Sequence, residues 1–394
     1  MRIAVVSPRL PTRTMPMRGV SRDEQLEVFA EAGHEINAVV PVAWSPRRWL
    51  AGTPIPDEER DGVVVVAHPR YPWVPRFLRG AALERRLFAR AAATALAARG
   101  AMPDVVLAQS ATLPGALLGR VGGAVFVVAL HDHELYSWAP RSAVARRVLA
   151  RTLRGADCGV YVSDALRRQG ISVAGPHRTR VIPIGIGTYP ELSVVWPERF
   201  TVCTVARLVA LKRVDRVMRA FGRLAAERPD ARLVIVGDGP ERRTLEALAR
   251  GLGIEGVVEL TGELDARAAR ERMARSSVMA LPSVPESLGG VYLEAMSMGV
   301  PALGARGGGI EEHIEHGVSG ILVPPDDDEA LLGELRGLAA DPDRARKIGE
   351  EGRRRFLAGP FTWRANAQAY LGLFEELLRD RGSTRACNSS LPRA

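Results

Sequence analysis

Two glutamates separated by seven residues lie where an apolar strand gives way to a helix. Glu286 follows the strand that ends at Leu281, and Glu294 lies in the second turn of the helix. Gly289 and Gly290 let a ligand approach the backbone, and the free N–H groups of a first helical turn favour phosphate. Carboxylates accept hydrogen bonds from sugar and ribose hydroxyls. The segment predicts a site for an elongated, phosphate-bearing ligand; a capping acid and an ordinary helix glutamate are the structural alternative.

A second charged pair follows the strand predicted to end at Val205. Arg207 and Lys212 lie in a short loop before the next predicted helix. Two cations at the carboxyl end of a strand can hold a pyrophosphate and stabilise its charge as it leaves. Solvated surface charge is the alternative, but only Lys212 and Lys347 among the 54 lysines and arginines are lysines. This rarity weakens the surface explanation for Lys212.

A cluster of polar residues follows the apolar strand predicted at 124–130. His131, Asp132, His133 and Glu134 are consecutive. A His-Asp-His run permits a metal site, but adjacent side chains alternate in direction and no third ligand group stands out. We therefore expect His131 alone to donate a hydrogen bond to a substrate, and we predict no metal site.

Other glycine-rich loops narrow the class of enzyme. The loop 304–312 repeats the order of strand, glycine turn and helix, which is a weak signal alone. Gly237 and Gly239 form a partial G-x-G in which Arg242 replaces the third glycine, and the loop 8–19 has no glycine fingerprint. A dinucleotide-dependent oxidoreductase is therefore disfavoured. The sequence contains neither a P-loop motif nor a G-x-S-x-G elbow.

Apolar strands alternate with helices through both halves of the chain, which is typical of parallel sheets covered on both faces. Such sheets bind ligands at the carboxyl ends of their strands. In the first half we predict strands at 3–6, 36–40, 63–66, 105–108, 124–130 and 160–162. In the second half we predict strands at 201–205, 233–236, 257–260, 278–281, 300–303 and 321–323. The expected fold is α/β, with two doubly wound, Rossmann-like domains.

Length and composition fit a two-domain globular protein. The chain has 394 residues, 46% hydrophobic and 25% charged, which excludes disorder and coiled coil as the main class. No apolar run reaches the roughly 18 residues of a membrane-spanning helix. Residues 1–6 are typical of a first strand and not of a signal peptide, and the three cysteines indicate neither a disulfide framework nor a metal cage. We expect a cytoplasmic protein.

In the order of its motifs the chain resembles the family 4 glycosyltransferases, retaining enzymes of the GT-B fold, as far as about Pro325. The most specific match is the Glu-x7-Glu pair with its LEAM-x-x-G-x-P continuation at 293–301. Weaker N-terminal matches lie at 32–36, 127–132, 156–163 and 181–186, and further matches lie at Arg207 with Lys212, 233–240, Gly262 and 308–325. The resemblance implies two Rossmann-like domains that face a cleft.

The resemblance gives each part of the chain a role. Residues 1–187 would form the acceptor-binding domain and 199–360 the nucleotide-sugar donor-binding domain, joined by a linker at 188–198. A helix at 361–381 would cross back to the N-terminal domain. The remaining residues, 382–394, would form a frayed tail.

The resemblance also implies roles for single residues. The donor would be a UDP- or GDP-sugar. Glu286 would bind the transferred sugar, Glu294 the ribose, His131 the sugar near the reacting centre and Gly19 the donor phosphate. Arg207 and Lys212 would hold the pyrophosphate, and the backbone of Leu288, Gly289 and Gly290 would join Glu286 in binding the transferred sugar and phosphate. No metal or other cofactor is expected, since cations and helix N-termini do its work in such enzymes. A leaving phosphate oxygen would help to deprotonate the acceptor.

Two segments depart from the family pattern, and two other functions compete with this one. The usual Gly-Gly after the first strand is Arg18-Gly19 here, and the usual Asn-Gly before the linker is Ile184-Gly185. A nucleotide-sugar 2-epimerase of related fold would need cleft carboxylates beyond the few that the sequence marks. A non-catalytic nucleotide-sugar-binding subunit is the other alternative, and the intact charged motifs argue against it.

The basic excess lies in the first half of the chain. Residues 1–190 contain 25 Lys+Arg and 15 Asp+Glu (+10), so the totals of 54 and 45 leave 29 and 30 (−1) for 191–394. This asymmetry predicts an anionic partner for the first half. One hypothesis is docking at the inner membrane face to reach a lipid-linked acceptor; a solvated face, or steering of a soluble anionic acceptor, is the alternative. The residues concerned are Arg141, Arg146, Arg147, Arg151 and Arg154, with Trp73, Phe77 and Arg79 near another segment.

The acceptor itself stays open at this point. A sugar, a lipid-linked glycan and a small metabolite are all compatible with the pattern, and no nucleic acid is expected.

Overall fold

A computed structural model of the chain describes residues 1–8, 23–44, 56–61, 64–75, 82–100, 102–131, 134–187 and 192–389. The chain divides into two compact units. One unit combines Met1–Gly187 with Thr362–Ala394, and the other is Thr188–Phe361.

Parallel strands form the centre of the first unit. The strands are β1 Arg2–Val6, β2 Glu35–Val39, β3 Val42–Trp44, β4 Glu58–Asp61, β5 Val64–Ala67, β6 Arg70–Pro72, β7 Val105–Ala108, β8 Val125–Leu130, β9 Cys158–Tyr161 and β10 Thr179–Val181. Eight of them pair in the order β10-β9-β8-β7-β1-β2-β5-β4, and β3 pairs with β6 separately. Only the edge strand β4 is antiparallel to its neighbour among the described strands of this sheet.

Helices cover this sheet and bury its apolar strands. The helices that precede the second unit are α1 Asp23–Glu31, α2 Ala82–Ala97, α3 Ala143–Gly155 and α4 Asp164–Ala174. Every residue of β7 and β8 is buried, as expected for strands covered on both faces. Ser142 and Ser163 cap α3 and α4 by accepting hydrogen bonds from the N–H groups of Ala145 and Leu166.

A six-stranded parallel sheet forms the centre of the second unit. Its strands are β11 Thr201–Val205, β12 Arg232–Val236, β13 Val258–Gly262, β14 Val278–Leu281, β15 Ala302–Ala305 and β16 Ile321–Val323. They pair in the order β13-β12-β11-β14-β15-β16, so the strand order reverses between β11 and β14. Connections leave these two neighbours in opposite directions, which opens a crevice at their carboxyl ends.

Six helices surround the second sheet. They are α5 Val214–Glu227, α6 Arg242–Leu252, α7 Ala266–Ala274, α8 Gly290–Met298, α9 Asp328–Ala340 and α10 Pro342–Ala358. On α5 the buried residues Val217, Phe221 and Leu224 recur at helical spacing and form one apolar face.

The segment expected to link two domains is attached to the second unit where the structure describes it. The Val194 N–H donates to the Met298 carbonyl at 2.9 Å, and the Val195 N–H donates to the Ala274 carbonyl at 2.7 Å. The Arg346 guanidinium lies 5.7 Å from the centre of the Trp196 ring. These contacts fix residues 194–196 on the second unit.

The last helix, α11 (Trp363–Ser389), packs on the first unit. Tyr370 and Phe374 belong to the core beneath the sheet, and the Phe374 ring lies 6.1 Å from that of Phe29 on α1. Arg381 donates from Nη2 to both carboxylate oxygens of Asp157, at 2.9 and 2.7 Å. Apolar burial and a charged pair therefore hold this helix.

The last helix runs further than the sequence predicts, and several short strands carry no sequence signal. The tail expected to fray from residue 382 continues α11 as far as Ser389, because no proline interrupts the helix there and extending an existing helix costs little. The strands β3, β4, β6 and β10 were not predicted. They are three or four residues long, and most of them contain polar residues. Neither an apolar run nor an alternating pattern therefore marks them in the sequence.

Gly185 supports a close contact with the last helix, and its replacement tests that contact. A Cβ at this position would overlap the ring and Cα of the buried Trp363. We predict that Gly185→Ala lowers the free energy of unfolding by about 1–3 kcal/mol, the usual cost of over-packing. Gly372→Ala on the same helix is the control, because a Cβ there meets nothing within 4 Å. It should stabilise by about 0.5–1 kcal/mol. Chemical denaturation measures both, and equal stabilities would contradict the contact.

Candidate active site

The loop between β14 and α8 lies at the crevice and is held by its own hydrogen bonds. The Ser283 N–H donates to the Leu281 carbonyl at 2.9 Å, and the Tyr292 hydroxyl donates to the same carbonyl. The Val284 N–H donates to the carbonyl of Leu211, in the loop that follows β11, at 3.3 Å. The two loops at the strand-order reversal are therefore bonded to each other.

Gly289 is required where this loop enters the helix. Its φ of +78° is in the left-handed region, and a Cβ there would overlap the ring of Tyr292. Tyr292 is completely buried, and burial, followed by the charge of Glu286, raises the pKa of its phenol. The phenol therefore stays a neutral donor beneath the loop. Leu288 is buried, and Gly290 begins the helix with its first-turn N–H groups.

The Glu286 carboxylate joins the two loops. Lys212 Nζ donates to Oε2 at 2.6 Å, and the Ser283 hydroxyl donates to the same oxygen at 2.6 Å. The Glu286 carbonyl accepts from the Gly309 N–H at 3.0 Å, so the loop after β15 is attached as well. Glu286 is only 8% exposed, and its Oε1 has no protein partner among the described residues. One carboxylate oxygen is thus fixed and the other is available to a ligand.

The two cations of the loop after β11 differ in their surroundings. Lys212 closes a short 3-10 turn and is paired with Glu286, whereas Arg207 is exposed and its guanidinium has no carboxylate partner in the described part of the chain. Gly237 lies beneath this loop, where a Cβ would collide with the Ala206 carbonyl. The partial G-x-G of the sequence therefore serves close packing of two loops. Arg207 remains available for an anion.

Glu294 has a basic partner, Arg270, that the sequence analysis did not identify. Arg270 on α7 donates to Glu294 Oε1 at 2.9 Å. Burial raises the pKa of Glu294, and the charge of Arg270 opposes that change. Arg270 is itself 9% exposed, but its helix contains several arginines and nothing in the pattern singles it out. The pair places a hydrogen-bonded carboxylate on α8, the helix that directly follows the Glu286 loop.

His131 belongs to the other unit, at the carboxyl end of β8. Its Nε2 lies 3.0 Å from Oε1 of Gln109, which follows the neighbouring strand β7. Gln109 was missed because a single glutamine after a strand carries no motif. Gly19, Asp132 and His133 lie outside the described residues. Within the described ranges, no three His, Cys, Asp or Glu side chains form a group that could hold a metal ion.

Comparison with known sequences supplies the family. The sequence model of Glycosyltransferase Family 4 matches residues 23–188, and that of Glycosyl transferases group 1 matches residues 193–355. A "GDP-mannose-dependent alpha-(1-6)-phosphatidylinositol monomannoside mannosyltransferase" of Mycolicibacterium smegmatis is 34% identical over 62% of this chain and 69% of its own length. Its counterpart in Mycobacterium tuberculosis is 31% identical over 78% and 82%. The chain belongs to glycosyltransferase family 4. Its activity is the transfer of glycosyl groups.

Solved structures confirm the fold of this family 4 member. A sucrose-phosphate synthase from Thermosynechococcus elongatus superimposes with a TM-score of 0.80 at 22% identity, covering 96% of this chain and 99% of its own. Anabaena HepE in complex with UDP-glucose gives a TM-score of 0.73 at 20% identity, covering 95% and 100%. The predicted GT-B class is therefore confirmed. The alternatives, an epimerase and a non-catalytic subunit, are not favoured, because the matched relatives are transferases.

The helices agree with the lack of a long apolar run in the sequence. None of those described has the length and hydropathy needed to span a bilayer.

The hydroxyl of Ser283 offers a first test of the carboxylate arrangement. Ser283→Ala removes one of the two donors that fix Glu286 Oε2, so we predict a fall in kcat of about tenfold, or about 1.4 kcal/mol, with a smaller change in donor KM. Ser297→Ala is the matched control, because that hydroxyl donates only to the Glu294 carbonyl. Steady-state kinetics decide between the roles, with melting temperatures to confirm folding. A Ser283→Ala enzyme with unchanged kcat would show that Lys212 alone suffices.

Proposed function

We propose that this family 4 glycosyltransferase takes its sugar from a UDP- or GDP-sugar bound in the second unit, at the crevice between β11 and β14. The observation that carries the proposal is the Glu286 carboxylate, fixed at one oxygen and open at the other. Lys212 is bonded to it, the helix that begins at Gly290 follows its loop, and the loop after β11 also carries Arg207, an exposed cation with no carboxylate partner in the described part of the chain. Cations and free N–H groups suit a diphosphate, and an open carboxylate oxygen suits a sugar hydroxyl.

In the proposed reaction the configuration at the sugar carbon is retained. The bond between the sugar carbon and the phosphate oxygen breaks, and its electron pair leaves with the nucleoside diphosphate. The acceptor oxygen bonds to the same face of the sugar, and its proton passes to the departing phosphate oxygen. Arg207 and Lys212 stabilise the charge that develops on the diphosphate. Glu286 binds a sugar hydroxyl, and same-face attack by the acceptor requires no protein nucleophile.

Lys212 can donate hydrogen bonds to phosphate while it remains paired with Glu286. An ammonium group carries three N–H donors, and the carboxylate accepts one of them. Two remain for phosphate oxygens. A salt bridge to Glu286 thus holds Lys212 in position before the donor arrives, which reduces the ordering cost of binding.

Glu294 is proposed to accept hydrogen bonds from the ribose hydroxyls. Arg270 occupies Oε1, so Oε2 is the oxygen proposed to face the ribose. The charge of Arg270 favours the ionised carboxylate, which accepts more strongly than a protonated acid.

No metal is needed in this proposal, since protein cations and N–H groups neutralise the diphosphate. We therefore predict that transfer proceeds in excess EDTA at more than about half of its untreated rate, because removing a required Lewis acid would cost several kcal/mol. Rate measurements with EDTA, and with Mg²⁺ restored, test this. Loss of activity that Mg²⁺ restores would contradict the proposal.

The acceptor is proposed to be a hydroxyl of a sugar, a glycolipid or a small metabolite. The names of the relatives support this range. The mycobacterial enzymes are named for a phosphatidylinositol monomannoside, and a Bacillus anthracis relative, 38% identical over 43% of this chain, is an "N-acetyl-alpha-D-glucosaminyl L-malate synthase". The roles of His131 and Gly19 stay predictions from the family resemblance.

A thermal-shift panel tests the donor proposal. UDP, GDP and their common sugars are added separately, and the melting temperature should rise for one base, because ligands that bind only the native state stabilise it. Acceptor screening with that donor follows, and the anomeric configuration of the product is determined by NMR. An inverted product would contradict retention. No shift with any nucleotide would contradict a nucleotide-sugar site.

Replacing the two glutamates separates their proposed roles. Glu286→Ala should nearly abolish transfer, whereas Glu294→Ala should mainly weaken nucleotide binding. Losing a charged hydrogen bond costs about 1.5–3 kcal/mol. Calorimetric titration with the nucleoside diphosphate measures binding, and saturating-donor kinetics measure transfer. Equal and small effects of both substitutions on nucleotide binding and on transfer would contradict the roles proposed for the two glutamates.

Replacing Lys212 by arginine tests whether the site needs a compact cation. A guanidinium is larger and planar, so it cannot occupy the position between Glu286 and phosphate in the same way. We predict that Lys212→Arg lowers kcat by at least about tenfold, or about 1.4 kcal/mol. Because Lys212 pairs with the buried Glu286, the free energy of unfolding is measured in parallel, which separates a loss of turnover from a loss of folding. The control is Lys347→Arg, on the exposed surface of α10. Normal turnover of Lys212→Arg would show that the site does not require a compact cation.

A further inference from the structure

Helix α3 carries positive charge that the described structure leaves without counter-charge. Arg146, Arg147, Arg151 and Arg154 are exposed, the helix contains no acidic residue, and none of the four forms an ion pair with any described part of the chain. Helix α5 is the contrast, because its three arginines all have carboxylate partners. The charge on α3 is thus arranged differently from that on a comparable helix.

Neighbouring groups do not balance the positive charge of α3. Burial first, and the charge of Arg151 second, lower the pKa of Arg85 to about 10. The carboxylates nearest in sequence are already engaged. Asp157 pairs with Arg381 at 2.7 Å, Asp164 pairs with Arg167 at 2.6 Å, and the buried Glu134 accepts from the Ala111 N–H at 3.2 Å. Only an external anion is left to balance the α3 arginines within the described structure.

These arginines border a groove between α3 and α4 with a volume of about 690 Å³. Arg146, Arg147 and Arg154 lie along it with Gln169, all of them exposed or partly exposed. Apolar side chains line its base. Pro140, Ala143 and Val173 are exposed or partly exposed there, above the buried Leu135, Ala139 and Ala150. Val144, in the first turn of α3, is 66% exposed. Cations above an apolar base suit a ligand that is anionic at one end and apolar at the other.

We propose that this groove binds the phosphate-bearing headgroup of an anionic lipid and holds the first unit at a bilayer surface. The arginines contact the phosphate, and the apolar base receives the start of the lipid's hydrocarbon. Charge complementarity and the apolar base favour a lipid over a soluble phosphate ester, which has nothing to place there. The site is independent of the proposed donor site, so either proposal can fail without the other.

Vesicle co-sedimentation with matched variants tests the groove. Arg146→Gln/Arg147→Gln/Arg154→Gln removes three charges from the groove while keeping a good helix former. Arg86→Gln/Arg90→Gln/Arg120→Gln removes three exposed charges elsewhere in the same unit. The native protein should bind mixed phosphatidylglycerol–phosphatidylcholine vesicles and not pure phosphatidylcholine. The groove variant should lose at least about tenfold in vesicle affinity, and the control variant less than about threefold.

Several outcomes would overturn the proposal. They are no co-sedimentation of the native protein at low or physiological salt, equal losses in both variants, and saturable binding of inorganic phosphate without vesicle binding. The first would reject membrane contact. The second would show that binding depends only on the total positive charge, and the third would identify a soluble ligand. Melting temperatures and nucleoside-diphosphate binding should be unchanged in both variants, which separates loss of lipid binding from misfolding and from failure of the donor site.

Discussion

The candidate active site depends on one buried carboxylate that two donors share. Lys212 and Ser283 reach the same oxygen of Glu286 from two different loops. A carboxylate that is 8% exposed would be costly if unpaired, and charge-assisted hydrogen bonds offset that cost only with good geometry. The need to satisfy Glu286 therefore fixes the relative position of the loops after β11 and β14. Whatever binds between them meets cations and an open carboxylate oxygen already in place.

The sheet explains why those two loops meet. The strand order of the second unit reverses between β11 and β14, so the two strands are neighbours although 72 residues separate Val205 from Val278 in the chain (numbers 206–277). The loops then contact each other through the Val284–Leu211 hydrogen bond. Packing below the loops is equally tight, since Gly237 and Gly289 both occupy positions where a Cβ would collide. Preorganisation of this kind reduces the cost of ordering at the moment of binding.

Much of the fold could be predicted from the sequence, and the remainder has physical reasons. Parallel strands covered on both faces are mostly apolar and largely buried, so β7, β11, β14 and β16 were predicted with the bounds observed. Short or partly polar strands such as β4 and β10 carry no such pattern. At the site, the Glu-x7-Glu spacing and the rare lysine located Glu286 and Lys212. Ser283, Arg270 and Gln109 act through contacts made only after folding, and no residue spacing announces such contacts.

The arginines of helix α3 differ in their pairing from those of the second unit. In the second unit many arginines are neutralised by carboxylates, as where Arg216 pairs with Asp326 and Asp328 at 2.8 and 2.6 Å. Each such surface pair adds little stability, but together they leave a nearly neutral surface. Against that background an unpaired cation at the crevice, Arg207, acts as a local attraction for an anion and not as part of a general positive field. In the first unit the α3 arginines are not neutralised within the described structure, so attraction there extends along a helix and weakens with salt. A localised charge suits a small anionic ligand, and an extended one suits a surface.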